Sequence, residues 1–245
     1  MRHYVVYALL ALLCTTAWCG EKPTLKGVTV LDNYPYSYVE HGVLQGLGID
    51  VVKVLAERAG YQIVIETQPP TRALKTAENE PFVMVFSLFR TPEREPLYYW
   101  IGPISTTELW LYKLKSRTDI HVHTLDDAKH YVVGTTASDA TIPLLKQLGI
   151  QFDTAPSDLS NCRKFKFGRF DLVPVDPNGV KELMAACDIG VEQIEKLVKL
   201  PTNTGIYIGI GKHTPKDVVN RLNQEMDGMK KDQTIQRINA KWNIN

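Results

Sequence analysis

The chain has 245 residues, with 28 Lys and Arg against 27 Asp and Glu, a formal charge of +1 and 44% hydrophobic residues. Charge this balanced excludes a typical nucleic-acid binder, whose basic excess gathers on one face. An ordinary hydrophobic fraction, with 14 Pro and 16 Gly spread along the chain, excludes disorder and low complexity. The length serves one large domain or two lobes of roughly 100 residues, each able to bury a core.

The first nineteen residues stand apart from that globule. Arg2 is the only charge before Glu21, an apolar run covers 5–13, and the stretch 14–19 offers small residues to a peptidase. A positive start, a short apolar core and a small-x-small end form the pattern of a secretory signal peptide, with cleavage expected after Cys19 and Ala17 three positions before the cut. The apolar run is about half the roughly 20 residues that a spanning helix needs. Acylation of Cys19 is the weaker alternative, because bulky Trp18 precedes it. Cleavage removes Arg2, leaving basic and acidic residues equal in number, and leaves two cysteines, Cys162 and Cys187. In an oxidising compartment such a pair is either a disulfide or two buried free thiols.

In chain order, 28–31 reads as a short apolar strand ending in the turn-rich Asp32, Asn33, Tyr34 and Pro35. Residues 48–60 read as a helix, because Val52, Leu55, Ala56 and Ala59 repeat at i, i+3, i+4 and i+7 and Gly60 is a natural stop. A strand over 63–66, a helix over 72–77 behind Pro69 and Pro70, and apolar strands over 82–87 and 110–114 follow. The style then repeats: strand 131–133, helix 138–148, strand near Phe152, helix 159–167, strand 170–175, helix 178–186. Two closing helices carry stripes at Val219, Leu222, Met226 and Met229, and at Ile235, Ile238 and Trp242. Strands alternating with helices predict an α/β architecture, two-lobed, with mostly parallel sheets covered on both faces.

Few motifs carry chemistry. Gly46 and Gly48 lack the third glycine of a dinucleotide loop and read as a turn and helix start. His121 and His123 share a strand face, but no third metal ligand lies at a familiar spacing. Neither a nucleophile elbow nor a phosphate-binding glycine loop occurs. Three places are more informative. Arg94 lies on the turn after the 82–87 strand, and ligands of parallel α/β sheets bind beyond the carboxyl ends of strands. Its fork suits a carboxylate, although the charged stretch reads equally as solvated surface. Asp171 opens and Asp176 closes another strand. The polar turn 134–140 opens a helix, whose free N–H groups suit an anionic ligand group.

Together, Thr91, Pro92, Glu93 and Arg94; Trp100, Ile101, Gly102 and Pro103; Gly168, Arg169, Phe170 and Asp171 with Asp176; and Lys241 with Trp242 make the chain resemble the extracellular solute-binding proteins of family 3. The resemblance runs from about Val28 to Trp242. The segments 69–74 and 90–95 look like a stand-alone Gram-negative branch of that family. It implies a periplasmic-binding-protein-like fold, two α/β lobes joined by two crossover strands and closing like a hinge. Lobe 1 would comprise 20–112 and 205–245, and lobe 2 would comprise 113–204. By resemblance, Arg94 grips a ligand α-carboxylate, Asp176 receives the α-ammonium, Tyr34 packs on the ligand side chain and Ser87 contributes its backbone.

Two residues depart from the pattern. Phe89 replaces a hydroxyl beside the arginine, and Asp139 replaces the Ser or Thr of lobe 2, with Ser138 adjacent. An acid there repels a carboxylate unless it is protonated or turned away. That leaves an aromatic or cationic amino-acid-like ligand open, while Arg72, a second cation near the mouth, suits a dicarboxylate. The expected function is capture of a small polar solute in the periplasm by a monomer without cofactor or metal, for an inner-membrane ABC permease or a sensor. The alternative is a dehydratase on the same scaffold with Asp139 as proton donor.

Overall fold

The computed structural model describes residues 22–202 and 205–244, so the expected signal peptide over 1–19 lies outside the described residues. Strand β1 (Thr24–Thr29) leads through the hairpin β2 (Tyr38–Glu40) and β3 (Val43–Gln45) into α1 (Leu47–Arg58), β4 (Gln62–Thr67), α2 (Pro70–Asn79) and β5 (Val83–Phe89). Strands β6 (Tyr98–Thr106) and β7 (Trp110–Leu114) follow without an intervening helix. Next come β8 (Val133–Thr136), α3 (Thr141–Leu148), β9 (Phe152–Ala155), α4 (Asp158–Lys166), β10 (Val173–Val175), α5 (Val180–Ala185) and β11 (Ile194–Lys199). The chain closes with β12 (Gly205–Gly211), α6 (Lys216–Lys231) and α7 (Thr234–Lys241).

Two lobes result. The first is built on a five-stranded sheet in the order β4-β1-β5-β12-β6. Helix α1 forms because Leu47, Val51, Val52, Leu55 and Ala56 line one side, and Gly60, at φ 81°, ends it. That side packs with α6 and α7 over one sheet face, joining Leu25, Met84, Ile101, Ile208 and Met226 in one core. Helix α2, with Pro70 at its first position, covers the opposite face through Ala73 and Ala77 against Val28, Val85 and Tyr98.

The second lobe has a three-stranded sheet in the order β10-β7-β11 and the parallel pair β8-β9, tied together by a bridge between Val133 and Leu172. Its core is in two parts, one around Leu111, Val133, Leu145 and Leu172 and one around Phe165, Val173 and Met184. In the second part Cys162 and Cys187 are joined as a disulfide with Cα atoms 6.2 Å apart. The two passages between lobes run side by side, since Leu200 N–H donates to the Leu109 carbonyl at 2.8 Å.

The mostly parallel sheets expected from the sequence are corrected here. Among the described residues only the strand pairs β1-β4, β1-β5 and β8-β9 run parallel; β12 is antiparallel to both β5 and β6, and β7 is antiparallel to both neighbours. The reason is connectivity: helical crossovers enforce parallel pairing, whereas the helix-free path from β5 to β7 and the late return of β12 place strands antiparallel. Strand β12 was not anticipated at all, because its glycines at 205, 209 and 211 dilute the apolar signal.

Candidate functional site

A cavity of about 470 Å³ lies between the lobes, with a smaller one of about 110 Å³ beside it. The larger is walled by Val30, Leu31, Pro69, Pro70, Leu74 and Phe89, and Arg94, Asp32, Asp139 and Asp158 also line it.

Ser87 shows how the first lobe shapes this wall. Along β5, Phe89 pairs with Ile206, Leu88 with Tyr207 and Phe86 with Ile208, so the register skips Ser87. Ser87 is a β-bulge at φ 65°, a backbone region that non-glycine residues adopt mainly where surroundings enforce it. The residue is only 9% exposed, and its Oγ has no hydrogen-bond partner among the described residues. The hydroxyl packs against Gly48 at the start of α1, where an added Cβ would come within 2.3 Å of it, so it faces the interior of the first lobe and leaves the backbone at the cavity wall.

The two arginines after β5 do different work. Arg90 forms a forked pair with Glu95, at 2.6 and 2.5 Å, and lies over the rings of Trp100 and Tyr207 at 5.7 Å each. Arg94 instead turns inward. Its Nη1 donates to the Phe89 carbonyl at 3.1 Å and its Nη2 to the Ser138 carbonyl of the second lobe at 2.8 Å. A guanidinium has five N–H donors, so three stay free, and no carboxylate of a described residue forms an ion pair with it. Burial lowers its pKa; Asp139 acts in the opposite direction. Carbonyl oxygens orient this cation without neutralising it.

The second lobe answers the question that Asp139 posed. Its Oδ1 accepts from the Thr141 N–H at 2.7 Å and from the Thr141 hydroxyl at 2.6 Å, which ties the carboxylate to the start of α3. The acid is thus turned to a capping role. Ser138, at φ 65°, keeps its hydroxyl 2.7 Å from that of Thr71, another contact across the lobes.

Asp176 lines only the smaller cavity, and Arg94 only the larger. The Asp176 carboxylate accepts from Tyr36 Oη at 2.8 Å and from the Asn178 N–H at 2.8 Å. Burial raises its pKa, while Thr107, Asn178 and Tyr36 pull it down. Tyr36 belongs to the first lobe, so Asp176 clasps the lobes together here. Tyr34 also lines the smaller cavity and stacks on Tyr38 with centroids 4.6 Å apart. Arg72 is exposed on α2 and lines neither cavity, so the dicarboxylate role expected of it has no support in this geometry. His121 and His123 are exposed, and among the described residues no group of three His, Cys, Asp or Glu is placed to hold a metal ion.

Sequence reasoning missed Asp158 and the role of Tyr36. Asp158 opens α4 behind its N-cap Ser157, a position where an acid ordinarily reads as a favourable helix-start charge. It is half-buried in the cavity wall, where desolvation, then Asp139, then Asp32 push its carboxyl up to about 7.

The lobes also touch at Gly179, where an added Cβ would overlap the Tyr34 carbonyl. Gly179→Ala is expected to weaken ligand affinity by forcing the lobes apart while leaving the melting temperature of the free protein nearly unchanged. Titration calorimetry beside thermal unfolding checks this; unchanged affinity would remove the close approach from the binding cycle.

With this geometry in view, residues 25–245 match the family described as bacterial extracellular solute-binding proteins, family 3. The chain belongs to that family. It is 21% identical to the probable amino-acid-binding protein YxeM of Bacillus subtilis (strain 168), over 99% of this chain and 95% of YxeM. It is 23% identical to the arginine-binding extracellular protein ArtP of the same organism, over 64% of this chain and 62% of ArtP. Among solved structures, an ancestral arginine-binding protein bound to arginine superposes with a TM-score of 0.78 at 18% identity, covering 91% of this chain and 99% of that one. Family membership and this likeness fix the periplasmic-binding-protein-like fold. No helix among the described residues is long and apolar enough to cross a membrane.

Proposed function

We propose that this family 3 member captures an amino acid or a closely similar zwitterion in the cleft between its lobes, with Arg94 holding the ligand carboxylate. The observation that carries this reading is an enclosed guanidinium, positioned by two carbonyls and lacking an acid partner, in the wall of the larger cavity. Contacts from both lobes converge there, so a ligand binds the closed state better than the open one and shifts the population towards it. On this reading the first lobe comprises 20–112 with 205–245 and the second 113–204, with β7 (Trp110–Leu114) carrying the first crossing and pairing in the sheet of the second lobe. Export by the 1–19 segment and delivery to an ABC permease or sensor complete the proposal. The amino-acid names of YxeM and ArtP support the ligand class.

A thermal-shift screen of amino acids, polyamines and small acids tests it. A ligand at a hundred times its dissociation constant should add about 2.7 kcal/mol of stability. Stabilisation by small acids without an amino group, and by no amino acid, would overturn the assignment.

One observation favours a second reading. A carboxyl pushed up to about 7 inside a closable cavity is suited to proton donation, which moves the dehydratase idea from Asp139 to Asp158. Turnover of prephenate-like acids, followed by mass analysis, would establish it; binding without turnover leaves the receptor.

A further inference from the structure

We propose, on the reading that an amino acid fills the cleft, that Asn161 and Thr135 of the second lobe select its side chain. The smaller cavity takes a side chain ending in an uncharged hydrogen-bond donor, an amide N–H or a hydroxyl, in preference to an apolar one.

Helix α4 buries Asn161 beside Cys162 and Phe165. Asn161 is 7% exposed and lines the smaller cavity. Its Nδ2 donates to the Gly134 carbonyl of β8 at 3.0 Å. That bond fixes the amide, since the opposite orientation would set oxygen against oxygen. Oδ1 is left without a partner among the described residues. Buried acceptors are seldom left unpaired, so a donor from outside the chain belongs here.

Thr135 adds a second acceptor by a different route. It is 1% exposed and lines the same cavity, with its hydroxyl 3.1 Å from that of Thr141. Thr141 gives its own proton to Asp139 Oδ1 at 2.6 Å, and a carboxylate only accepts. Thr135 must therefore donate to Thr141, which leaves its oxygen with lone pairs and no proton to offer. The Gly134 carbonyl held by Asn161 belongs to the peptide that joins Gly134 to Thr135, so both acceptors flank one peptide of β8. Asp176, in the same cavity, already accepts from Tyr36 and Asn178. The cavity, of about 110 Å³, has room for a group of several heavy atoms, more than one water needs. It shares Asn33, Phe89 and Thr136 with the larger cavity, so a ligand whose carboxylate is on Arg94 extends into it. An apolar end would strip water from both oxygens without replacing its hydrogen bonds.

Calorimetry on the intact mature chain and on Asn161→Leu tests this with near-isosteric pairs: L-threonine and L-valine, L-asparagine and L-leucine, L-glutamine and L-methionine. The donor-bearing member of at least one pair is expected to bind about 10-fold more tightly than its partner, the scale of one hydrogen bond to a buried acceptor. Asn161→Leu should erase that preference by weakening the donor-bearing member while its partner holds or gains. A merely structural role, or a resident water as the only partner of Oδ1, would shift both members alike. Such a parallel shift, an unchanged preference in Asn161→Leu, or equal binding within every pair in the wild type would overturn the proposal. Should Asn161→Leu fail to fold, Thr135→Val, which keeps the shape, is measured in its place, and a retained preference counts against the proposal. Binding of L-arginine alone, included as a charged control, would also overturn it and leave amino-acid capture standing. Only a chain that no amino acid in the thermal-shift screen stabilises loses that reading as well.

Discussion

Arg94→Ala is expected to weaken ligand binding by about 2–5 kcal/mol, roughly 30- to several-thousand-fold. The magnitude follows from the ligand's position after the change: its carboxylate would remain in a cavity from which closure removes water, with no fixed cation to replace hydration. The free protein should respond differently. Among the described residues Arg94 makes two hydrogen bonds, both to carbonyls, and burial already works against its charge. Removing an enclosed, unneutralised cation is often neutral or stabilising. The melting temperature of the free variant is therefore expected to hold or rise while affinity collapses. That opposition separates a binding residue from a structural one. Arg94→Lys sharpens the test, because it keeps charge but loses the fork. An intermediate loss is expected; calorimetry that finds all three proteins binding alike would remove Arg94 from the site.

Opening the Cys162–Cys187 bridge is expected to cost about 3.5 kcal/mol of folding stability, the loop-entropy value for a separation of 25 residues. The bridge lies in the Phe165 and Met184 part of the second lobe's core, and both cysteines are buried. It fastens α4 to the segment after α5. Its loss should act on the second lobe, and through that lobe on the placement of Asp158 at the head of α4. Urea unfolding with and without reductant measures the cost. Mass analysis after alkylation under denaturing conditions without reductant checks the premise: two alkylated thiols would show that the bridge is absent.

The elements legible in the sequence are those whose signal is local. Helix α1 is visible because Val52, Leu55, Ala56 and Ala59 face one way, and these residues are buried in the structure. The stripe Val219, Leu222, Met226 and Met229 likewise becomes the buried side of α6. Helix α3 begins at Thr141 rather than 138, because Asp139 and its neighbours form the turn that caps it. Strands β6 and β12 were illegible: Pro103 interrupts one and glycines thin the other, and both depend on pairing with partners far away in the chain.

The sequence by itself determined the α/β class, the division into two lobes, the family through its short ordered motifs, and Arg94 as a residue of interest. These rest on hydrophobic period and on residue types at fixed spacing, which a linear string records. Only the tertiary structure decided which charges face the cavity and which are already partnered. It turned Asp139 into a cap, placed Asp176 with Tyr36, left Arg72 outside and set Asp158 among acids. The physical reason is that the cost of a charge depends on burial and on groups brought near by closure of two lobes, and neither quantity exists until the chain has folded.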